Sequence, residues 1–244
     1  MKKNIINNLA YFDDLKIVQN KDCFNFSLDS VLLPYFAELT PNTKNILDLC
    51  TGNAPVPLIL STKTKSKIIG IEIQKEIYKL AIESVKLNNL SNQIEIINDD
   101  VKNIVKNYET DSFDLILCNP PYFKASKESI LNNELSKSIA RHELLLNLDD
   151  IIKISKKLLK NGASLTIVHR TDRIIEIIDK MKKNNIEPKR MLFIYPKVNK
   201  NSNIVLIDGR KNGKVGLKLL PPLFVHDLDG NYTEEILKAF GREL

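Results

Sequence analysis

Phe113-Asp114-Leu115-Ile116-Leu117-Cys118-Asn119-Pro120-Pro121-Tyr122 is an apolar run that ends abruptly in a polar, proline-rich turn. Its first six residues are apolar apart from Asp114 and read as a buried strand. The last four residues stop it. Pro120 and Pro121 each fix φ near about −65°, and neither carries a backbone N–H. The segment is therefore stiff, presents carbonyl oxygens, and brings no donor of its own to compete for them. Asn119 adds an amide oxygen as a further acceptor, and the ring of Tyr122 can stack on a flat base drawn out of its helix. Acceptors around an amino group, with a ring beneath, suit recognition of a planar amine. A plain strand-ending turn with Asn119 as a turn residue is the simpler alternative, so the surrounding sequence has to decide.

Working outward, short apolar runs alternate with amphipathic stretches from residue 46 onward. Strands are expected at 46–50, 68–73, 94–97, 113–118 and 164–168. Helices are expected at 55–62, 75–88, 100–107 and 148–160, with a further helix near 171–184. Such alternation predicts an α/β fold, a mostly parallel sheet with helices on both faces. Residues 191–195 and 203–207 would complete the sheet, the last pair as an antiparallel hairpin. Two regions break the alternation: an N-terminal extension over 1–44, and a long polar insertion over 123–147 of the kind that serves as a lid. The tail from about 209 is Gly- and Pro-bearing and ends in a short helix started by Thr233.

Open parallel sheets bind ligands beyond the carboxyl ends of their strands, and those ends are chemically unusual here. The first reads Asp48-Leu49-Cys50-Thr51-Gly52-Asn53-Ala54. Gly52 permits φ > 0 or close approach of a ligand, Pro55 and Pro57 suit the start of a helix, and Asp48 can accept from a cationic amine. Cys50 and Ala54 stand where a full Gly-x-Gly-x-Gly would have glycines. The second end carries Glu72, which can take both hydroxyls of a ribose. The third reads Asn98-Asp99-Asp100, where either carboxylate can accept from an adenine amino group or simply cap the next helix; Asp100 is preferred for the adenine. Three acids at three successive strand ends, followed by Asn-Pro-Pro-Tyr at the fourth, form a set that its members alone do not.

The chain of 244 residues is long enough for one full α/β core with an appendage. Its net charge of +6 is uneven: residues 1–150 carry 17 Lys and Arg against 20 Asp and Glu, whereas 151–244 carry 19 against 10. Within 181–218 ten basic residues face only Glu187 and Asp208. This pattern fits a basic surface that docks on phosphates, or a solvated lysine-rich one. Cys23, Cys50 and Cys118 are scattered, as are His142, His169 and His226, which argues against structural zinc and a disulfide framework. No signal peptide and no run of transmembrane length are evident, so a cytoplasmic protein without membrane contact is expected.

Taken together, these motifs resemble a class I S-adenosylmethionine-dependent methyltransferase of the amino-group-modifying branch, over roughly 26–208. A narrower resemblance comes from Phe26-Ser27-Leu28-Asp29-Ser30-Val31-Leu32-Leu33, Ala140-Arg141-His142-Glu143 and, in the tail, Gly216-Leu217 and Asp229-Gly230-Asn231-Tyr232-Thr233. These are similar to segments of the bacterial tRNA adenine-37 N6-methyltransferase family. The resemblance implies a Rossmann-like, mostly parallel seven-stranded sheet and S-adenosyl-L-methionine as cofactor. It implies methyl transfer to the N6 amino group of adenine 37, beside the anticodon of tRNA for valine. By the same resemblance Asp48, Gly52, Glu72 and Asp100 bind the cofactor, Asp29 helps to close its pocket, and Asn119, Pro120 and Tyr122 bind and orient the adenine. Arg141 and His142 contact RNA or brace the lid. The family usually has a glycine where Cys50 stands. The chain would divide into an extension over 1–44 packing over the cofactor site, a catalytic domain over 45–208 with its lid loop at 123–147, and a tail over 209–244. tRNA would dock through the basic C-terminal half, with no obligate protein partner evident. Rival readings are a protein glutamine N5-methyltransferase, DNA adenine methylation, for which no separate target-recognition domain is evident, and a non-catalytic RNA-binding protein on a methyltransferase fold.

Overall fold

The computed structural model describes residues 4–20, 26–120 and 146–242. The first half of the chain gives β1 (Asn4–Leu9), β2 (Phe12–Asn20), α1 (Leu28–Phe36), β3 (Asn45–Leu49), α2 (Pro55–Lys63), β4 (Lys67–Ile71), α3 (Lys75–Leu87), β5 (Ile94–Ile97), α4 (Val101–Ile104) and β6 (Phe113–Cys118). The second gives α5 (Leu148–Leu158), β7 (Leu159–Arg170), α6 (Ile174–Lys183), β8 (Ile186–Lys197), β9 (Ile204–Lys211), β10 (Lys218–Leu219), β11 (Leu223–His226) and α7 (Glu234–Ala239).

Seven strands run side by side in the order β8-β9-β7-β6-β3-β4-β5. β3 to β7 are mutually parallel, and β9 is antiparallel to both β7 and β8. This is the α/β sheet expected, widened by β10 and β11, two short strands that pair with the outer edge of β8. Strand alternation sorts the core into two layers. Ile46, Ile68, Leu115 and Val168 face α1, α2, α3 and α7, whereas Leu47, Ile71, Ile116 and Ile167 face α4, α5 and α6. Each such side chain contributes about 1.5–3 kcal/mol relative to exposure.

The helices start where local chemistry says they should. α5 opens with a capping box in which Asn147 and Asp150 satisfy each other's backbone N–H groups, and Thr233 caps α7. α3 buries Ile77, Leu80, Ala81, Ser84 and Val85, a stripe at helical spacing. The helix expected over 100–107 shortens to α4, because Lys106 and Asn107 donate three residues back to Asn103 and Ile104 and close the chain into turns. The helix expected to 160 stops at Leu158, because Leu159 already pairs with Phe113 as the first residue of β7.

The N-terminal extension holds structure that the sequence pattern hid. β1 and β2 form an antiparallel hairpin, whose Asn-rich outer positions mask the inner Leu15, Ile17 and Val18, all buried. Its second strand is sewn to α3: Val18 N–H donates to Ser84 Oγ at 2.9 Å, and Lys16 N–H to Asn88 Oδ1 at 2.8 Å. Tyr11 N–H donates to Phe240 O at 3.0 Å, so the hairpin tip meets the residue that ends α7. Extension, sheet and tail thus share one apolar cluster. The insertion read at 123–147 lies outside the described residues apart from Leu146 and Asn147. No helix among the described residues is long and apolar enough to cross a membrane.

Candidate active site

Register brings the strand ends abreast. Cys118 pairs with Leu49, Leu49 with Ile71, and Ile71 with Ile97, so one residue further Asn119, Cys50, Glu72 and Asn98 stand in a row along one edge of the sheet. β3 lies between β4 and β6, which makes this row the point where strand order reverses, the usual ligand position in such sheets.

The Cys50–Ala54 turn is left-handed at three of its five residues, with φ of +62° at Cys50, +60° at Gly52 and +74° at Ala54. The backbone therefore keeps the conformation of a glycine loop where two glycines are missing, at roughly 1 kcal/mol of strain for each non-glycine residue. A hypothetical Cβ on Gly52 would meet nothing within 4 Å among the described residues, which leaves open space above it on that side. Below, Gly70 is required: a Cβ there would lie 2.8 Å from Thr51 Oγ1 and 2.9 Å from Ile96.

Glu72 is buried and holds this turn in place. Its Oε2 accepts from Gly52 N–H at 3.1 Å and its Oε1 from Gln74 N–H at 2.8 Å. Each carboxylate oxygen retains a second lone pair for a ligand hydroxyl. Burial raises its pKa, and the two backbone donors offset part of that rise. Asn98 Nδ2 donates to Glu72 O at 2.7 Å and to Ile73 O at 3.1 Å, bracing the next strand end.

Asp48 lies beneath the turn, 1% exposed, and neither of its oxygens has a hydrogen-bond partner among the described residues. Burial pushes its pKa up to about 7; the Thr51 hydroxyl opposes this and the charge of Glu72 adds to it. Thr51 Oγ1 is near enough to act through its dipole, but its geometry is not that of a hydrogen bond. A buried carboxylate without a donor is costly, and a cation placed above it would relieve the cost. Beside it, burial pushes the Cys118 thiol up, with Cys50 close by.

Asp100 accepts from Lys102 N–H at 2.9 Å and caps α4, while Asp99 Oδ1 accepts from Asp100 N–H at 2.7 Å and from Asn103 Nδ2 at 2.9 Å. Both acids thus have local work, and both stay half-buried at the end of the row. Asn119 is half-buried and Pro120 buried; Asn119 Nδ2 donates to Ser30 Oγ at 3.1 Å. Asp29 sits in the first turn of α1, next to Ser30. Tyr122, Arg141 and His142 lie outside the described residues.

Two organising side chains escaped the reading of the sequence. Asn53, 4% exposed, donates from Nδ2 to Val18 O at 2.9 Å and so ties the turn to β2. Ser30, also 4% exposed, reaches Asn119. The available signal was similar in each case: a small polar residue directly before an apolar run, Val31-Leu32-Leu33 after Ser30 and Ala54-Pro55-Val56 after Asn53, a placement that folding usually buries with a partner.

The basic second half is less free than its composition suggests. Of the ten cations in 181–218, Lys182, Lys183, Arg190, Arg210 and Lys211 are engaged in ion pairs. Lys197, Lys200, Lys214 and Lys218 are exposed and have no acidic partner among the described residues. β8 runs parallel to β7, so Lys197 and Lys200, at its carboxyl end, stand on the same edge of the sheet as the site.

A strand-order reversal lined by acids, with a glycine-type turn on one side and Asn-Pro on the other, defines an S-adenosylmethionine-dependent methyltransferase, and the comparisons agree. The chain belongs to the methyltransferase small domain family, whose model matches residues 29–184. It is similar to a tRNA1(Val) (adenine(37)-N6)-methyltransferase of Cytophaga hutchinsonii, with 23% identity over 96% of this chain and 98% of that one. It is also similar to a protein of the same description from Parabacteroides distasonis, with 25% identity over 76% of each chain. Among solved structures, a predicted O-methyltransferase from Agrobacterium tumefaciens superposes with a TM-score of 0.69 at 17% identity, covering 87% of this chain and 95% of that one.

Proposed function

We propose that the chain transfers a methyl group from S-adenosylmethionine to the N6 amino group of adenine in tRNA, with adenine 37 beside the anticodon of tRNA for valine as target. The observation that carries this reading is the row itself: Asn119 stands abreast of the Cys50 turn and of Glu72, which sets amide and carbonyl acceptors beside a cofactor cradle. The descriptions of the relatives supply the substrate class.

The residues present fit the cofactor. Gly52 leaves open space above the turn, Glu72 keeps lone pairs for ribose hydroxyls, and Asp100 ends the row where an adenine amino group would lie. Asp48 is a buried carboxylate awaiting positive charge, and it acts from below the turn through its field. Asp29 closes the pocket from α1. S-adenosylmethionine, when bound, supplies a methyl group already activated by a sulfonium.

No strong base is needed: as the bond from N6 to the methyl carbon forms, the methyl–sulfur bond would break, and the acidic cationic nitrogen would then give up a proton to water. The adenine N6 lone pair is delocalised and weakly nucleophilic, and positive charge grows on that nitrogen during attack. Asn119 Oδ1 and the Pro120 carbonyl accept its two N–H bonds, favour a pyramidal nitrogen, and stabilise the transition state more than the ground state. Tyr122 stacks on the base and offsets part of the cost of flipping it out. Lys197 and Lys200 meet the phosphates on the site's edge, in a cytoplasmic protein that needs no membrane and no obligate protein partner. The extension over 1–44 braces the cradle, 45–208 carries the chemistry with 123–147 as its lid, and 209–244 forms the tail.

The test is transfer of labelled methyl to tRNA that lacks modification at adenine 37, followed by nucleoside mapping. N6-methyladenosine at that position is expected. Silence on tRNA with cofactor binding intact would move the target to a protein amide or another nucleic acid. Asn119→Ala should lower turnover by on the order of 10²-fold while leaving the Kd for S-adenosylmethionine near that of the wild type. Wild-type turnover in that variant would sink the mechanism.

A further inference from the structure

Nothing in methyl transfer calls for a cysteine at position 50. It holds φ at +62°, a conformation that glycine adopts without strain, and a second thiol stands next to it. Cys118 ends β6 and pairs with Leu49, the residue before Cys50. One strand spacing of about 4.8 Å across and one residue rise of about 3.3 Å along put the two Cα atoms about 6 Å apart. Disulfides take spans of about 4.4–6.8 Å, so the pair is within bridging distance. In a regular strand Cys50 would face away from Leu49. The left-handed turn undoes that alternation, and Cys50 packs against the same apolar cluster that contains Leu49 and Cys118. Cys118 is 0% exposed, whereas Cys50 is half-buried among the described residues.

Burial pushes the Cys118 thiol up, with the Cys50 thiol and the charge of Asp48 adding, so Cys118 stays protonated and shielded. Cys50 is the sulfur that a small oxidant meets first. We propose that Cys50 and Cys118 form an oxidation site for hydroperoxides, at which a disulfide between them pulls the turn out of shape and weakens cofactor binding. The Cys50 sulfur takes one oxygen from hydrogen peroxide, which gives a sulfenic acid and one water. The Cys118 sulfur then attacks it, the S–O bond breaks, the S–S bond forms, and the thiol proton leaves in a second water. Together the two thiols give up two electrons and two protons, and hydrogen peroxide takes both to become two waters. The S–S bond is about 2.05 Å long, shorter than any contact between unbonded sulfurs, so the two must be drawn together. Cys118 is fixed in the core, which leaves the turn to move. Thr51 N–H and Gly52 N–H bond to Ile71 O at 2.8 Å and to Glu72 Oε2 at 3.1 Å, both on the side of β4. Since β4 and β6 flank β3 on opposite sides, a pull toward β6 stretches both bonds and separates the turn from Glu72.

The experiment treats the full chain with excess hydrogen peroxide. Linked peptides are mapped by mass spectrometry without reduction, and the Kd for S-adenosylmethionine is measured before treatment, after it, and after dithiothreitol. A peptide linking Cys50 to Cys118 is expected, with a Kd weaker by about tenfold, and dithiothreitol should reverse both. Cys118→Ala should form no such link, and its Cys50 should run on to the sulfinic acid, which dithiothreitol does not restore. The proposal is overturned if no link forms, which leaves the two thiols as small packed apolar groups, or if Cys23 takes the place of either partner. It is overturned equally by a link that leaves the Kd unchanged, or by the same reversible loss in Cys118→Ala. Should Cys118→Ala fail to fold, Cys50→Gly replaces it: peroxide should not move its Kd from the untreated value, and a reversible tenfold loss there sinks the idea. Cofactor binding is the only activity read, so the outcome is independent of whether tRNA is the substrate.

Discussion

Asp48 on β3 and Asp208 on β9 are both buried strand carboxylates, 1% and 4% exposed, and burial raises the pKa of both. Their surroundings differ completely. Asp208 is matched by Arg190, which also engages Glu38 and donates to Phe36 O, and Glu38 pairs in turn with Arg210. Asp48 has no cationic partner and no well-formed hydrogen bond among the described residues, only the nearby Thr51 hydroxyl. One carboxylate is part of a finished ion network that pins α1 to the antiparallel edge of the sheet. The other leaves its electrostatic cost unresolved beneath the turn where a cationic cofactor would sit. The antiparallel edge is built for rigidity, and the parallel half is left incomplete for a ligand to complete.

The largest effect should come from breaking the finished network. Arg190→Ala strands the Asp208 carboxylate and removes the anchor of α1; an uncompensated buried charge costs about 3 kcal/mol or more. Chemical denaturation should show that loss, and a variant as stable as the wild type would mean the two carboxylates are not so different.

Asp48→Asn should do the opposite to the free protein, raising its stability at pH 8 by on the order of 2 kcal/mol while weakening S-adenosylmethionine binding. The sign follows from the pKa of about 7 against the usual 3.8. Folded Asp48 holds a proton that the unfolded chain releases, so from about pH 4 to 7 its contribution falls as pH rises, and the full penalty is present above 7. His169 slopes the other way: burial, with Arg173 adding, pulls its pKa to about 4 from 6.5, so its contribution rises with pH over that span. The Asp48 effect is therefore read as the difference between wild-type and variant stability–pH curves. A difference that does not change with pH would refute it. Cofactor affinity should likewise fall below pH 7, where Asp48 becomes neutral.

The smallest effect should be that of Cys50→Gly, which relieves the left-handed strain above Asp48 and gains roughly 1 kcal/mol, measurable as a rise in Tm. A loss of stability instead would show that packing of Cys50 near Cys118 outweighs the backbone term.

Much of the row of strand ends was legible because its signals are local. The strands at 94–97 and 113–118, the prolines opening α2, the acids at 72 and 100 and the Asn119-Pro120 turn depend on neighbours a few residues away. Gly52 was singled out for its freedom of φ and does take a positive value; Cys50 and Ala54 keep the same conformation without being glycine. The hairpin β1–β2 was not legible, because its Asn-rich face obscures the alternation of Leu15 and Ile17. Nor were β10 and β11, whose four or fewer residues carry too little pattern.

By itself the sequence determined the alternation of strands and helices, the chemistry gathered at the strand ends, and the excess of positive charge in the second half. Only the tertiary structure decided which polar groups have partners. Ser30 meets Asn119, Asn53 meets Val18, Arg190 meets Asp208, and Asp48 has no hydrogen-bond partner among the described residues. Periodicity and turn chemistry are properties of adjacent residues, readable along the chain. Desolvation and pairing depend on which surfaces packing brings together, and that is set by the whole core at once.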